Sequence, residues 1–201
     1  LDTEWSEFIS VRGEYRRLGL EYGLDQFRHK VGRADHLPWH EELQAVIGVQ
    51  SNIDEIIARK QQVHHAQIAA TGLRDGVIDV IEGAEQRRLR LAVASSSPHH
   101  WIDSHLADRG LHHRFSALAS RDLVDQAKPW PDVFLAAAEM LSVEPASCLV
   151  IEDSQHGVTA AKQAGMTCVV VPNRATEGSD FSQADLVLGS LSEFSFAHFG
   201  L

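Results

Sequence analysis

Leu149-Val150-Ile151-Glu152-Asp153-Ser154-Gln155-His156-Gly157 is the stretch from which the fold is read. Three apolar residues in a row, two of them β-branched, suit a strand covered on both faces. Two carboxylates end the run, and the chain then enters a helical pattern over residues 158–164 with Gly165 as its stop. Outward from this point the same rhythm recurs. Short β-rich runs at 89–94, 117–119, 148–151, 168–171 and 186–188 alternate with amphipathic helical segments, which predicts an α/β fold around a parallel sheet. A loop-rich span covers residues 173–183, where Gly178 and Ser179 sit.

Before residue 72 the rhythm is different. Phe8, Val11, Tyr15 and Leu18 recur at helical steps, and Ile53, Ile56, Ile57 and Val63 repeat the signal over residues 52–70. Val31-Gly32-Arg33-Ala34-Asp35 reads as a turn, and residues 37–47 as a further helix with Pro38 in its first turn. Two parts are therefore expected: an all-helical segment over 6–72, and an α/β core made of 1–5 and 73–201.

The 201 residues are 44% hydrophobic and 23% charged, an ordinary globular balance that excludes disorder and fibrous architecture. Twenty-eight acidic against 18 basic residues give a net charge of -10. Without a concentrated basic patch such a chain is repelled by a phosphate backbone, so no nucleic-acid partner is expected. No apolar run approaches the roughly 20 residues needed to span a bilayer, and no membrane partner is expected. Cys148 and Cys168 lie in apolar runs, where buried free thiols fit a reducing cytoplasm.

In an open parallel sheet, ligands bind where the strands' C-terminal ends meet the following loops. Three such loops carry chemistry. Ser95-Ser96-Ser97-Pro98 follows the first run; its hydroxyls and the N–H groups of the next helix form an anion cradle, or Ser97 merely caps that helix. Asp125-Gln126-Ala127-Lys128-Pro129-Trp130-Pro131-Asp132 places a lysine between prolines that fix the chain, which suits a point-charge clamp on phosphate. Glu152-Asp153 puts two hard carboxylates at a strand end, as Mg²⁺ prefers, although Asp153 could instead cap the helix that follows.

Hydroxyl, cation and acid in this order, each at a strand end, make the sequence resemble the haloacid dehalogenase superfamily of phosphohydrolases, in its branch of β-phosphoglucomutases and related phosphatases. The most diagnostic residues are Lys128-Pro129 and Ile151-Glu152-Asp153-Ser154 with Gly157. The resemblance implies a Rossmann-like, three-layer parallel-sheet core with residues 6–72 as an inserted helical cap. It also implies a Mg²⁺-dependent phosphatase of a small phosphorylated metabolite. Ser95 and Lys128 would be catalytic, with Ser95, Ser96 and Lys128 holding phosphate. Asp153 and Glu152 would hold the metal, or Glu152 would position Lys128. Arg33 would reach the substrate from the cap, which would close over the site.

In that family a first motif of the form Asp-x-Asp-Gly precedes Asp-Thr-Glu. Asp2-Thr3-Glu4 matches only the trailing part, so the nucleophilic aspartate and its strand are expected upstream of Leu1, and Asp2 is not the nucleophile. Loss of that strand would leave open edges on both neighbours. Ser6 and Glu7 stand where the mutase branch usually has a histidine, which favours hydrolysis. A mutase and a non-catalytic phosphate-binding domain are the alternatives. The adjacent pairs His64-His65, His99-His100 and His112-His113 lack zinc-site spacing and carry no metal expectation.

Overall fold

A computed structural model describes residues 2–33, 36–48 and 52–201; Ala34 and Asp35 of the expected turn lie outside them. The chain divides into two compact units. One comprises Leu1–Val31, Asp35–Arg74 and Asn173–Glu177, the other Gly32–Ala34, Asp75–Pro172 and Gly178–Leu201.

The first unit is helical: α1 (Thr3–Arg17), α2 (Leu24–Arg28), α3 (Trp39–Ile47) and α4 (Ile53–Ala70). Asp2 opens α1 by accepting the Trp5 N–H at 3.3 Å, and Asn52 opens α4 by accepting the Glu55 N–H at 3.4 Å. Asp2 is thus a helix cap. Phe8, Val11, Tyr15, Tyr22, Phe27, Leu43 and Ile56 form the core. The buried stripe of α4 runs through Ile56, Lys60, His64 and Ile68. This corrects the expected apolar stripe, since Val63 is exposed. Lys60 and His64 are tolerated inside because both meet Oε2 of Glu7 on α1, His64 Nδ1 at 3.3 Å.

The second unit alternates helices and strands: α5 (Val77–Gln86), β1 (Ala92–Ser95), α6 (His99–Asp108), β2 (Ala117–Ser120), α7 (Asp132–Leu141), β3 (Leu149–Glu152), α8 (Gln155–Gln163), β4 (Thr167–Val170) and β5 (Leu186–Val187). All pairings are parallel. Cys168 and Val170 of β4 join a core with Val133, Phe134, Val150 and Val158, whereas Val169 and Val171 join Leu188 and, around it, Phe194 and Phe199. That alternation means helices or loops cover both faces of β4, which makes it a central strand in a three-layer, Rossmann-like α/β arrangement.

Among the described residues the sheet comes in two pieces, β1-β2 and β3-β4-β5, with no ladder joining β1 to β3. Ile151, read from sequence as covered on both sides, is 40% exposed. Residues 89–91 also fall outside β1, because the Leu89 N–H closes the end of α5 on Ala84 O at 2.9 Å.

Candidate active site

β1 and β3 both end at the Lys128 ammonium. Nζ donates to Ala94 O on β1 at 3.1 Å and pairs with Oε1 of Glu152 on β3. It also lies 4.6 Å from the centre of the Phe134 ring. The Lys128–Pro129 peptide is cis. Lys128 is 7% exposed and Glu152 9%. An ammonium has three N–H groups; among the described residues two are spent on Ala94 and Glu152.

The Glu152 carboxylate is engaged at both oxygens. Oε1 takes Lys128, and Oε2 accepts the Asp153 N–H at 2.9 Å, the Ser154 N–H at 3.1 Å and the Ser154 hydroxyl at 3.0 Å. Burial pushes its pKa up, but the Lys128 charge and the N–H donors outweigh this and hold it below the usual range. Of the two acids proposed for metal, Glu152 is thus committed to Lys128 and the backbone.

The N-cap of α8 is Ser154, not Asp153: the Ser154 hydroxyl accepts the Gly157 N–H at 3.0 Å. Asp153 is the second carboxylate of this loop, with the hard oxygens that a divalent cation prefers. Among the described residues no group of three or more His, Cys, Asp or Glu side chains is arranged to hold a metal.

Ser95 ends β1 in register with Ser120 of β2. Its oxygen accepts the Ser97 N–H at 3.1 Å, which orients the hydroxyl without using its proton. Ser97 therefore serves this turn and does not cap α6. Ser96 donates its proton to Gly32 O at 3.0 Å. The open cradle expected at the start of α6 is filled from within, because Asp122 accepts the His99 N–H at 2.6 Å. A carboxylate there satisfies the positive helix end and leaves it unsuited to a second anion.

Gly32 and the half-buried Arg33 belong to the same unit as these loops. The structure therefore brings together Ser95, Ser96, Lys128, Glu152, Asp153 and the turn that precedes Arg33. His99 and His100 are exposed on α6. The structure gives Gly157, singled out in sequence only as part of the diagnostic stretch, a physical reason: a Cβ there would lie well inside 3.0 Å of the Glu152 carboxyl carbon and both its oxygens.

Comparison with known proteins agrees with this layout. A family model described as haloacid dehalogenase-like hydrolase matches residues 4–165. YhcW of Bacillus subtilis (strain 168), which carries a provisional phosphatase name, is 34% identical over 197 residues, 98% of this chain and 90% of its own. Hexitol phosphatase B of Escherichia coli (strain K12) is 36% identical over 124 residues, 61% of this chain and 56% of its own length. The crystal structure of CbbY from Rhodobacter sphaeroides in complex with phosphate superposes with a TM-score of 0.76 at 26% identity, covering 100% of this chain and 94% of that one. With strand ends, lysine clamp and family match in agreement, the chain belongs to the haloacid dehalogenase-like hydrolases.

Proposed function

We propose that the protein is a phosphatase that releases phosphate from a small phosphorylated metabolite. The observation that carries this reading is the Lys128 ammonium: buried, and held at the ends of two strands by Ala94 O and Glu152. A fixed, desolvated cation interacts far more strongly with a phosphoryl oxygen than one in water. The phosphatase names of the relatives and the phosphate bound in the CbbY structure support the same substrate class.

In this reading Ser95 donates its hydroxyl proton to one phosphoryl oxygen and Lys128 takes another. Asp153 supplies the hard oxygen for Mg²⁺, and Glu152 keeps Lys128 in place. Bound Mg²⁺ would offset negative charge on the phosphoryl group. Family resemblance assigns covalent attack to an aspartate, which would form an aspartyl-phosphate that water then cleaves. That aspartate is not among the residues of this sequence. The unpaired edges of β1 and β3 support a further strand between them, and we place the aspartate on it. The helical unit, residues 6–72 in the main, is proposed as the cap that selects the substrate; Arg33, expected on that cap, belongs instead with the α/β unit and is proposed as a substrate contact from there.

The cytoplasm is the proposed location, in keeping with the free cysteines Cys148 and Cys168. Among the described residues no helix is long and apolar enough to cross a membrane.

The test is phosphate release from p-nitrophenyl phosphate by the native full chain, with and without Mg²⁺, together with Lys128→Met. Metal-dependent release that Lys128→Met abolishes supports the proposal. Phosphate binding without turnover would sink it in favour of a binding domain, and conversion between sugar-phosphate isomers without net release in favour of a mutase.

A further inference from the structure

We propose that Ser96 and Ser154 jointly seat the turn at Gly32, so that the positions of Arg33 and of Lys128 depend on each other. The links are short and all lie in one unit. Ser96 spends its hydroxyl proton on Gly32 O at 3.0 Å. Gly32 has φ +80, a left-handed conformation that favours glycine. A Cβ on it would fall inside 3.0 Å of both Oγ and Cβ of Ser154, so the turn's backbone rests directly on that side chain.

Ser154 cannot step aside. It is 2% exposed, its hydroxyl donates to Glu152 Oε2 at 3.0 Å, and the same oxygen accepts the Gly157 N–H at 3.0 Å. Glu152 in turn pairs with Lys128. A continuous path therefore runs from Ser96 through Gly32, Ser154 and Glu152 to Lys128. Ser96 is a positioning residue in this assignment: its one proton goes to the turn, while Ser95 keeps its own for phosphate. The turn seals one side of Ser154, and its departure would leave the Glu152 anchor free to loosen. A substrate held by Arg33 would thereby stiffen the Lys128 clamp. The substrate part rests on the phosphatase reading; the coupling between turn and clamp does not.

The experiment compares the native full chain with Ser96→Ala, Ser96→Thr, Arg33→Ala and the Ser96→Ala/Arg33→Ala double variant. Amide hydrogen exchange is followed in peptides spanning residues 29–33 and 152–157, with kcat and KM for p-nitrophenyl phosphate and calorimetric binding of inorganic phosphate. Ser96→Ala should speed exchange in both peptides and Ser96→Thr should restore it. KM should rise about 2- to 12-fold, the worth of one neutral hydrogen bond, with kcat nearly unchanged. The double variant should be no worse than Arg33→Ala. Faster exchange in only one peptide, or in neither, overturns the coupling. Weaker inorganic phosphate binding with unchanged exchange at residues 29–33 makes Ser96 a direct phosphate ligand and overturns its positioning role. Exchange needs no turnover, so failure to hydrolyse any ester would reject the phosphatase reading and leave the coupling to be judged on exchange.

Discussion

Replacing Gly157 by alanine should damage the site without touching a charged group. The new methyl would stand well inside 3.0 Å of the Glu152 carboxyl, where the carboxylate already accepts four hydrogen bonds. The methyl and the carboxylate cannot both stay. Because α8 is fixed by the Ser154 cap, the carboxylate yields, and Lys128 is left buried without its counter-charge. Breaking a buried pair from one side costs about 3–5 kcal/mol. Alanine in place of a helical glycine returns about 1 kcal/mol, so the net loss is about 2–4 kcal/mol. With a urea slope of about 2 kcal/mol/M, the midpoint falls by about 1–2 M. Gly13→Ala is the control. Gly13 lies within α1, and a Cβ there meets nothing within 4 Å, so the same substitution should raise stability by up to about 1 kcal/mol. Equal urea midpoints for the two variants, with Glu152 still bonded to Ser154, would refute the reasoning.

Acid should weaken the fold through Glu152. Its folded pKa lies below the unfolded carboxyl value, so its contribution is complete above about 4.3 and is lost as pH falls through the lower folded value. Urea midpoints measured from pH 6 to pH 3 should show this slope flattened in Glu152→Gln. His64 gives a second window. Burial lowers its pKa to about 4; Glu7 opposes this, while Lys60 and His65 add to it. The folded value is again the lower one, so stability is full above about 6.5 and declines toward pH 4, a slope that His64→Gln should remove. Lys128→Met strands the Glu152 carboxylate and should cost about 3–5 kcal/mol. The Lys128→Met/Glu152→Gln double variant should be more stable than Lys128→Met alone, as a thermodynamic cycle would measure.

The core of the α/β unit was legible because strand and helix signals there coincide with burial. Val150, Cys168 and Val170 are apolar and inside, and the polar residues that follow β1 and β3 fall at strand ends, where topology puts a site. What sequence could not supply was the partner of each polar group. Nothing local distinguishes Asp153 from Ser154 as the cap of α8, since both residue types cap well; the geometry of the turn selects Ser154. The start of α6 reads as an empty anion site until Asp122, 23 residues further along, is found accepting the His99 N–H. A search for apolar periodicity also passes over Lys60 and His64, because their burial depends on Glu7, more than fifty residues away on α1. In each case the missing information is a long-range pairing of charges or hydrogen bonds.

The Lys128–Glu152 pair is hard to explain as a device for stability. Desolvating an ammonium and a carboxylate costs several kcal/mol apiece, and apolar residues of similar volume commonly replace buried pairs without loss. A pair retained at such expense, with both oxygens of Glu152 engaged, is organised to keep a cation fixed in a dry place. A carboxylate free to bind a metal would be free to release the lysine, and Glu152, bonded at both oxygens, is not free in that sense. On the proposed phosphatase reading the adjacent acids would then divide the labour, Glu152 holding Lys128 and Asp153 offering its oxygens to Mg²⁺.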